Sequence, residues 1–331
     1  CPCLMNPFVS ILIPCYNAEH WIDAAIRSAL GQTHGDKEVI VVDDGSTDSS
    51  LDIIRRYDGQ IQWETGPNMG GNHARNRLLE LASGEWLQYL DADDYLSVTK
   101  LARQLQHLQS HPDADVIYSP VILEYWDKNA TRVTHVETQD VQISDDPWTL
   151  LIRWRMPQTG GPLWKKSIVE AVSGWNKNQP CCQEADLYLR LLQHGANFTY
   201  CNEAGAVYRQ WSQNTVCTKD PLLSISKRLD IIDAAEAHLQ TNGQLTNEQL
   251  IAIAETRMEV ARLVYRLDPI VARSVERQAR LQLPARKLPK AAAFPSTYRV
   301  AYRLLGFGGA EWLAKATRRS LKTITSHQSK S

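Results

Sequence analysis

The chain has 331 residues, with 36 Lys and Arg against 37 Asp and Glu and a formal net charge of −1. That length suits roughly two domains, or one with an appendage, and the composition is that of an ordinary globular enzyme. No uninterrupted apolar run approaches the ~18 residues of a membrane span. No charged-then-apolar leader is recognisable, and Met5 is a candidate start. The seven cysteines, without paired spacing, read as reduced thiols in a cytoplasmic protein, not as a disulfide framework or zinc site.

In chain order, Phe8 to Cys15 reads as a buried strand and Glu19 to Leu30 as a helix capped by Asn17. Lys37 to Asp43 is a second strand, and Ser46 caps a helix over Thr47 to Tyr57. Gln60 to Glu64 is a short strand, Asn72 to Ala82 a helix, and Glu85 to Leu90 a strand that runs into Asp91-Ala92-Asp93-Asp94. Val98 to Gln109 is helical and Val116 to Val121 extended. Strands alternating with helices of about 10–15 residues predict βαβ units and a mostly parallel sheet. A hairpin is expected over Tyr125 to Val141, helices over Pro147 to Arg155 and Glu184 to Gln193, and a strand over Phe198 to Tyr208. After Pro221 the pattern is helical, over about 222–240, 247–267 and shorter pieces to 319. The expected division is an α/β domain over 8–215 and a helical region over 221–320, with 1–6 and 321–331 disordered.

Ligands of parallel sheets sit at the carboxyl ends of strands, and three of these ends are polar. Tyr16-Asn17 can stack and hydrogen-bond a base. Asp43-Asp44 can take an imide N–H or ribose hydroxyls, or can simply shape the turn. Asp91 and Asp93, two residues apart in extended chain, point to the same side and form a hard-oxygen half-site for Mg²⁺ or Mn²⁺ completed by phosphates. Gly70-Gly71 lets backbone approach a phosphate at a helix start. It is not the G-x-G-x-x-G of a dinucleotide fold.

Val9 to Glu19, Val41 to Asp48, Asn68 to Asn76 and Ala82 to Asp94 follow one another at intervals that together resemble family 2 glycosyltransferases of the GT-A fold. That resemblance spans residue 8 to about 210. It implies an inverting transferase that uses a nucleotide sugar, commonly UDP-linked, with Tyr16 and Asp44 on the uridine. It implies a divalent metal at Asp91 and Asp93, of which Asp93 is the direct ligand and Asp94 a turn residue. Pro14, Asn17, Glu19, Gly70, Arg75, Ala92 and Arg209 complete the expected donor site.

Gln183-Glu184-Ala185-Asp186-Leu187-Tyr188-Leu189-Arg190-Leu191 resembles the family's Glu-Asp-x-x-Leu-x-x-Arg-Leu helix. Lined up on Leu187 and Arg190, the family's basic Asp falls on Glu184, one methylene longer. Glu184 is therefore the expected general base, with Asp186 in reserve. Trp154, Trp164 and Trp175 are candidates for stacking an acceptor sugar, and the Gly161 to Trp164 segment ranks first.

The Gln-x-x-Arg-Trp motif and membrane spans of processive relatives are missing, which favours transfer of a single sugar to a sugar or lipid-linked acceptor in cell-surface polysaccharide or glycolipid assembly. The rivals are a sugar-nucleotide-binding module without turnover and an aspartyl-phosphate phosphatase; the phosphatase wants Thr or Val where Tyr95 stands. From Arg262 onward 15 Lys and Arg face 3 Asp and Glu, whereas the preceding residues carry 21 against 34. This basic, amphipathic tail is a candidate peripheral contact with an anionic inner membrane face. No nucleic-acid-binding module accompanies the charge.

Overall fold

The computed structural model describes residues 7–127, 129–139, 141, 146–211, 219–282, 288 and 293–328, with side chains to residue 316. Met5 lies outside the described residues. The chain divides into two compact units, Cys1–Lys219 and Asp220–Ser331.

The first unit opens with β1 (Val9–Cys15), α1 (Ile22–Leu30), β2 (Lys37–Asp43), α2 (Ser50–Arg55), β3 (Gln62–Thr65), α3 (Gly71–Leu81) and β4 (Trp86–Tyr89). It continues with β5 (Tyr95–Leu96), α4 (Lys100–His107), β6 (Val116–Tyr118), β7 (Val121–Trp126), β8 (Val133–Thr138), α5 (Pro147–Ile152), β9 (Leu163–Lys165), α6 (Lys166–Ala171), α7 (Gln183–Gln193), β10 (Phe198–Tyr200) and β11 (Ala206–Gln210). The main sheet has the order β10-β6-β9-β4-β1-β2-β3. All its pairings are parallel except those of β9, which runs antiparallel to β4 and β6. β1 is paired on both edges, so Val9, Ile11, Leu12 and Ile13 are fully buried, and apart from Ser10 its sequence is apolar on both faces rather than alternating. Ile22, Ala25, Ile26 and Ala29 recur at helical spacing and form the inner face of α1.

A second sheet, β5-β11-β7-β8, begins immediately after the acidic run. The carboxylates therefore lie where the chain leaves one sheet and enters the other. The run expected as one strand to Val121 stops at Tyr118 and restarts at Val121, across Pro120, which has no N–H to donate. The strand expected over Phe198 to Tyr208 is two, β10 in the main sheet beside β6 and β11 in the second sheet beside β5 and β7. The expected hairpin is the antiparallel pair β7–β8. Neither expected cap acts as one. α1 starts after Trp21 and α2 after Ser49, without side-chain caps, and Asn17 and Ser46 bond each other's loops instead.

The second unit is helical: α8 (Pro221–Thr241), α9 (Asn247–Val264), α10 (Pro269–Gln282) and α11 (Ser296–Gln328). Asp220 caps α8 ahead of Pro221, and Thr246 and Gln249 form a reciprocal capping box on α9. Met258, Val264, Ala272, Val275, Phe294, Tyr298 and Phe307 form its core. Gly306, at φ 70, interrupts α11, which runs past the end expected at 320.

Candidate active site

A cleft of about 450 Å³ opens at the carboxyl ends of β1, β2 and β4. Pro14, Tyr16, Asn17, Asp44, Gly70, Arg75, Asp91, Ala92 and Asp93 all line it, as do Trp21 and Trp211. Tyr16 is half exposed, with its ring available to a planar ligand. Asn17 holds a left-handed backbone (φ 48), and its Oδ1 accepts the Thr47 N–H at 2.8 Å, which ties the β1 loop to the β2 loop.

Asp44 is buried, and its two oxygens accept the N–H groups of Met69 at 2.8 Å and Gly70 at 2.9 Å. The carboxylate thus anchors the loop that leads into α3, and each oxygen keeps one acceptor lone pair. Gly70 sits at φ 95, a conformation that glycine adopts without strain, and the chain turns there into α3 directly after the two amides that Asp44 accepts. The neighbouring Asp43 is turned inward to Thr65 Oγ1 at 2.7 Å and the Ser46 N–H.

Arg75 is the hub of the site. Its Nη2 donates to Asp91 Oδ1 at 2.9 Å and its Nη1 to Gln183 Oε1 at 2.8 Å, and its guanidinium lies 4.7 Å over the Trp175 ring. Burial works against its charge, but Asp91 and Glu184 more than offset this and hold its pKa above the usual value. One buried cation thereby joins the end of β4 to the start of α7. Gln158 Nε2 donates to Asp91 Oδ2 at 3.1 Å and to Asp94 Oδ2 at 3.2 Å.

Asp93 accepts from the Trp211 indole N–H at 2.9 Å. Burial, and then the charge of Asp91, push its pKa up. Asp94, expected as a turn residue, is 2% exposed and accepts the Arg209 N–H at 2.8 Å. Burial, and then Asp93 and Asp91, push its pKa well up. Asp93 and Asp94, drawn out of water beside Asp91, favour a cation or protons in their midst.

At the first turn of α7, Glu184 Oε1 accepts from Thr159 Oγ1 at 2.6 Å. Cys182, with φ 56, turns the chain sharply into the helix just before it. Asp186 faces elsewhere, bonded to Arg190 Nε at 2.8 Å and Asn176 Nδ2 at 3.3 Å.

Six expected site residues are not on the cleft wall, and Glu184 and Asp186 on α7 are two of them. Glu19 accepts the Ser49 N–H at 3.0 Å and serves the start of α2. Arg209 is clamped between the rings of Trp21 (4.9 Å) and Tyr95 (4.5 Å), and its Nη1 donates to the Asp93 carbonyl at 3.0 Å, so it supports the acids from behind. Trp164 is fully buried in β9 and packs 5.1 Å from the Tyr188 ring, and it is core rather than a platform for sugar. Gly161 is packed where an added Cβ would lie 2.8 Å from Pro157 Cβ. Trp175, likewise, is buried beneath Arg75. Gln158, Thr159, Gln183 and Trp211 are the contributors that spacing missed. The one signal for the first two is a polar pair just ahead of Gly160-Gly161.

A parallel-rich sheet with a carboxylate run at a strand end and an acid-bearing helix held beside it defines the GT-A class of fold. Residues 10–174, half of the chain, match the family described as Glycosyl transferase family 2. The chain belongs to that family. It is 33% identical over 172 residues to an uncharacterized glycosyltransferase of Nostoc sp. PCC 7120, a match over 50% of this chain and 52% of that one. The chain thus spans about half the length of the curated relatives it matches. A 104-residue match at 38% identity, 31% of this chain and 41% of the other, is to the Escherichia coli UDP-Glc:alpha-D-GlcNAc-diphosphoundecaprenol beta-1,3-glucosyltransferase WfaP. The crystal structure of S. aureus TarS 1–349 in complex with UDP-GlcNAc shares the fold, with a TM-score of 0.65 at 15% identity over 95% of this chain and 92% of that one.

Proposed function

We propose that the chain transfers one sugar from a UDP-linked donor to an acceptor hydroxyl with inversion at the anomeric carbon, in the assembly of cell-surface polysaccharide, teichoic-type polymer or lipid-linked glycan. The observation that carries this reading is the Arg75 bridge, which ties Asp91, on the cleft wall with Asp93, to the first residue of the helix that bears Glu184.

In this reading Tyr16 stacks the base, Asp44 accepts from it or from the ribose, and the Gly70–Gly71 backbone approaches the diphosphate. Asp91 and Asp93 are the residues that would hold a divalent cation. Among the described residues no group of three or more His, Cys, Asp and Glu could hold a metal. The protein therefore offers two hard carboxylates, and phosphate and water oxygens would supply the rest, a donor set that fits Mg²⁺ or Mn²⁺. When bound, the cation neutralises charge on the departing diphosphate. Thr159 holds Oε1 of Glu184, so Oε2 meets the acceptor. The acceptor oxygen bonds to the anomeric carbon as its proton passes to Glu184, and the electrons of the anomeric C–O bond leave on the diphosphate. Attack opposite the leaving group inverts the carbon.

A panel of nucleotide sugars, assayed for UDP release with and without Mn²⁺, tests the proposal. Release that depends on the cation is expected. UDP binding by calorimetry without release from any donor would instead mean a binding module.

The indole N–H on Asp93 fixes that carboxylate's rotamer. Trp211→Phe keeps an aromatic ring, though a smaller one, and deletes the donor, and is expected to weaken Mn²⁺ binding by about 10–100-fold. Titrating Mn²⁺ against the UDP-loaded protein by calorimetry measures this, and an unchanged affinity would make the indole packing alone.

A further inference from the structure

We propose that the cationic, apolar-studded surface of the C-terminal helical unit docks on the surface of an anionic phospholipid bilayer. Arg262 to the end holds 15 cationic side chains and 3 acids, and the structure places each of those acids in an internal role. Glu311 is buried and accepts from Arg262 Nε and Tyr298 Oη, both at 2.7 Å. Glu276 is buried and accepts from Tyr302 Oη at 2.6 Å. Asp268 Oδ1 accepts the N–H groups of Ile270 and Val271 and caps the start of α10. Glu311 and Glu276 pair with Arg262 and Arg280, and none of the three acids stands exposed among Arg266, Arg273, Arg277 and Lys315, which do.

Large apolar side chains stand among those cations. On α10, Ile270 (82% exposed) and Leu281 (85% exposed) lie on one face with Arg277 between them. On α11, Val300, Arg303 and Leu304 share an exposed face, and beyond Gly306 the exposed pair Trp312 and Lys315 follows. Scattered exposed hydrophobes are ordinary, but repeated ones on cationic helix faces are not.

Anionic headgroups attract Arg and Lys, while Ile, Leu and Val enter the boundary with the acyl chains and Trp settles at headgroup depth. No helix of the described residues is long and apolar enough to cross a membrane, so the contact is a surface one. A second copy would bring two cationic faces together, which repel. A nucleic-acid backbone would match the arginines and leave Ile270, Leu281 and Leu304 in water.

Flotation of the full chain with phosphatidylcholine vesicles, and with vesicles enriched in phosphatidylglycerol, tests the surface without requiring turnover. The expected result is flotation with anionic vesicles only, weakened by high salt. Leu304→Glu combined with Trp312→Glu is expected to lower it at least about tenfold, with the circular dichroism spectrum and UDP binding unchanged. Arg277→Glu combined with Arg303→Glu is a second, independent pair with the same expected loss. Flotation with neither vesicle overturns the proposal, as does equal flotation of wild type and both variants. A dimer in light scattering that these substitutions dissociate, without vesicle binding, would assign the face to self-association and also overturns it.

Discussion

Glu184→Gln is expected to lower kcat by about 10²–10⁴-fold while UDP binding stays unchanged. The amide keeps the side chain's length and can still accept the Thr159 hydroxyl bond, now 2.6 Å to Oε1. It cannot take the acceptor's proton, so the loss falls on the chemical step and not on the donor, whose proposed contacts lie on the loops after β1, β2 and β3. Arg75 keeps its bonds to Asp91 and Gln183, so the bridge should survive. Asp186→Asn provides the contrast. Asp186 forms a partly buried ion pair with Arg190, the two side chains being 14% and 23% exposed. Losing that charge-assisted bond is expected to cost about 1–3 kcal/mol of stability and to leave kcat near wild type. Single-turnover kinetics, calorimetric UDP binding and urea denaturation separate these outcomes. An active Glu184→Gln beside a dead but folded Asp186→Asn would move the base to Asp186.

How far the sequence reached follows the range of the interactions involved. β1, β2 and β4 were legible because central parallel strands are mostly apolar on both faces, and polar residues mark where the chain leaves the sheet. Tyr16, Asp44, Asp91 and Asp93 occupy such exits, so position in the pattern placed them at the cleft. Arg75 and Glu184 lie on helix faces whose orientation is set by tertiary contact, and only the order of motifs suggested them. The Arg75–Gln183 bond crosses 108 residues, and no local period encodes it. Gln158 and Thr159 lie in a connection without periodicity, and a polar pair ahead of two glycines does not say that their partners are Asp91, Asp94 and Glu184. Trp164 misled for the complementary reason. Its three-residue strand is inserted antiparallel between β4 and β6, and the ring packs against Tyr188 of α7 with no surface left exposed. The Phe198 to Tyr208 stretch looks continuous in composition, yet β10 and β11 answer to different sheets.

Arg75→Ala is expected to destabilise the protein by about 3–5 kcal/mol. The guanidinium is 10% exposed and pairs with Asp91, which is 21% exposed, so solvent screens the pair little. Alanine would leave Asp91 with Gln158 as its remaining side-chain donor, beside Asp93 and Asp94, in a region where burial already resists ionisation. It would also free Gln183 and empty the space over the Trp175 ring, which loosens the start of α7 from β4. Arg75→Lys keeps the charge but cannot span Asp91 and Gln183 together with one compact ammonium, so an intermediate loss is expected. Urea unfolding gives the size of the effect, and adding Mn²⁺ gives its cause. If the acids at this strand end suffer from mutual repulsion once Arg75 is gone, a cation that binds only the folded form should raise the midpoint of Arg75→Ala more than that of the wild type. A loss below about 1 kcal/mol, or a midpoint indifferent to Mn²⁺ in both proteins, would mean that Arg75 fills space without setting the charge balance of the site. A larger Mn²⁺ response in the variant would tie together the two roles assigned to Asp91, partner of a buried arginine and donor to a divalent cation, since each would then be seen to satisfy the same carboxylate.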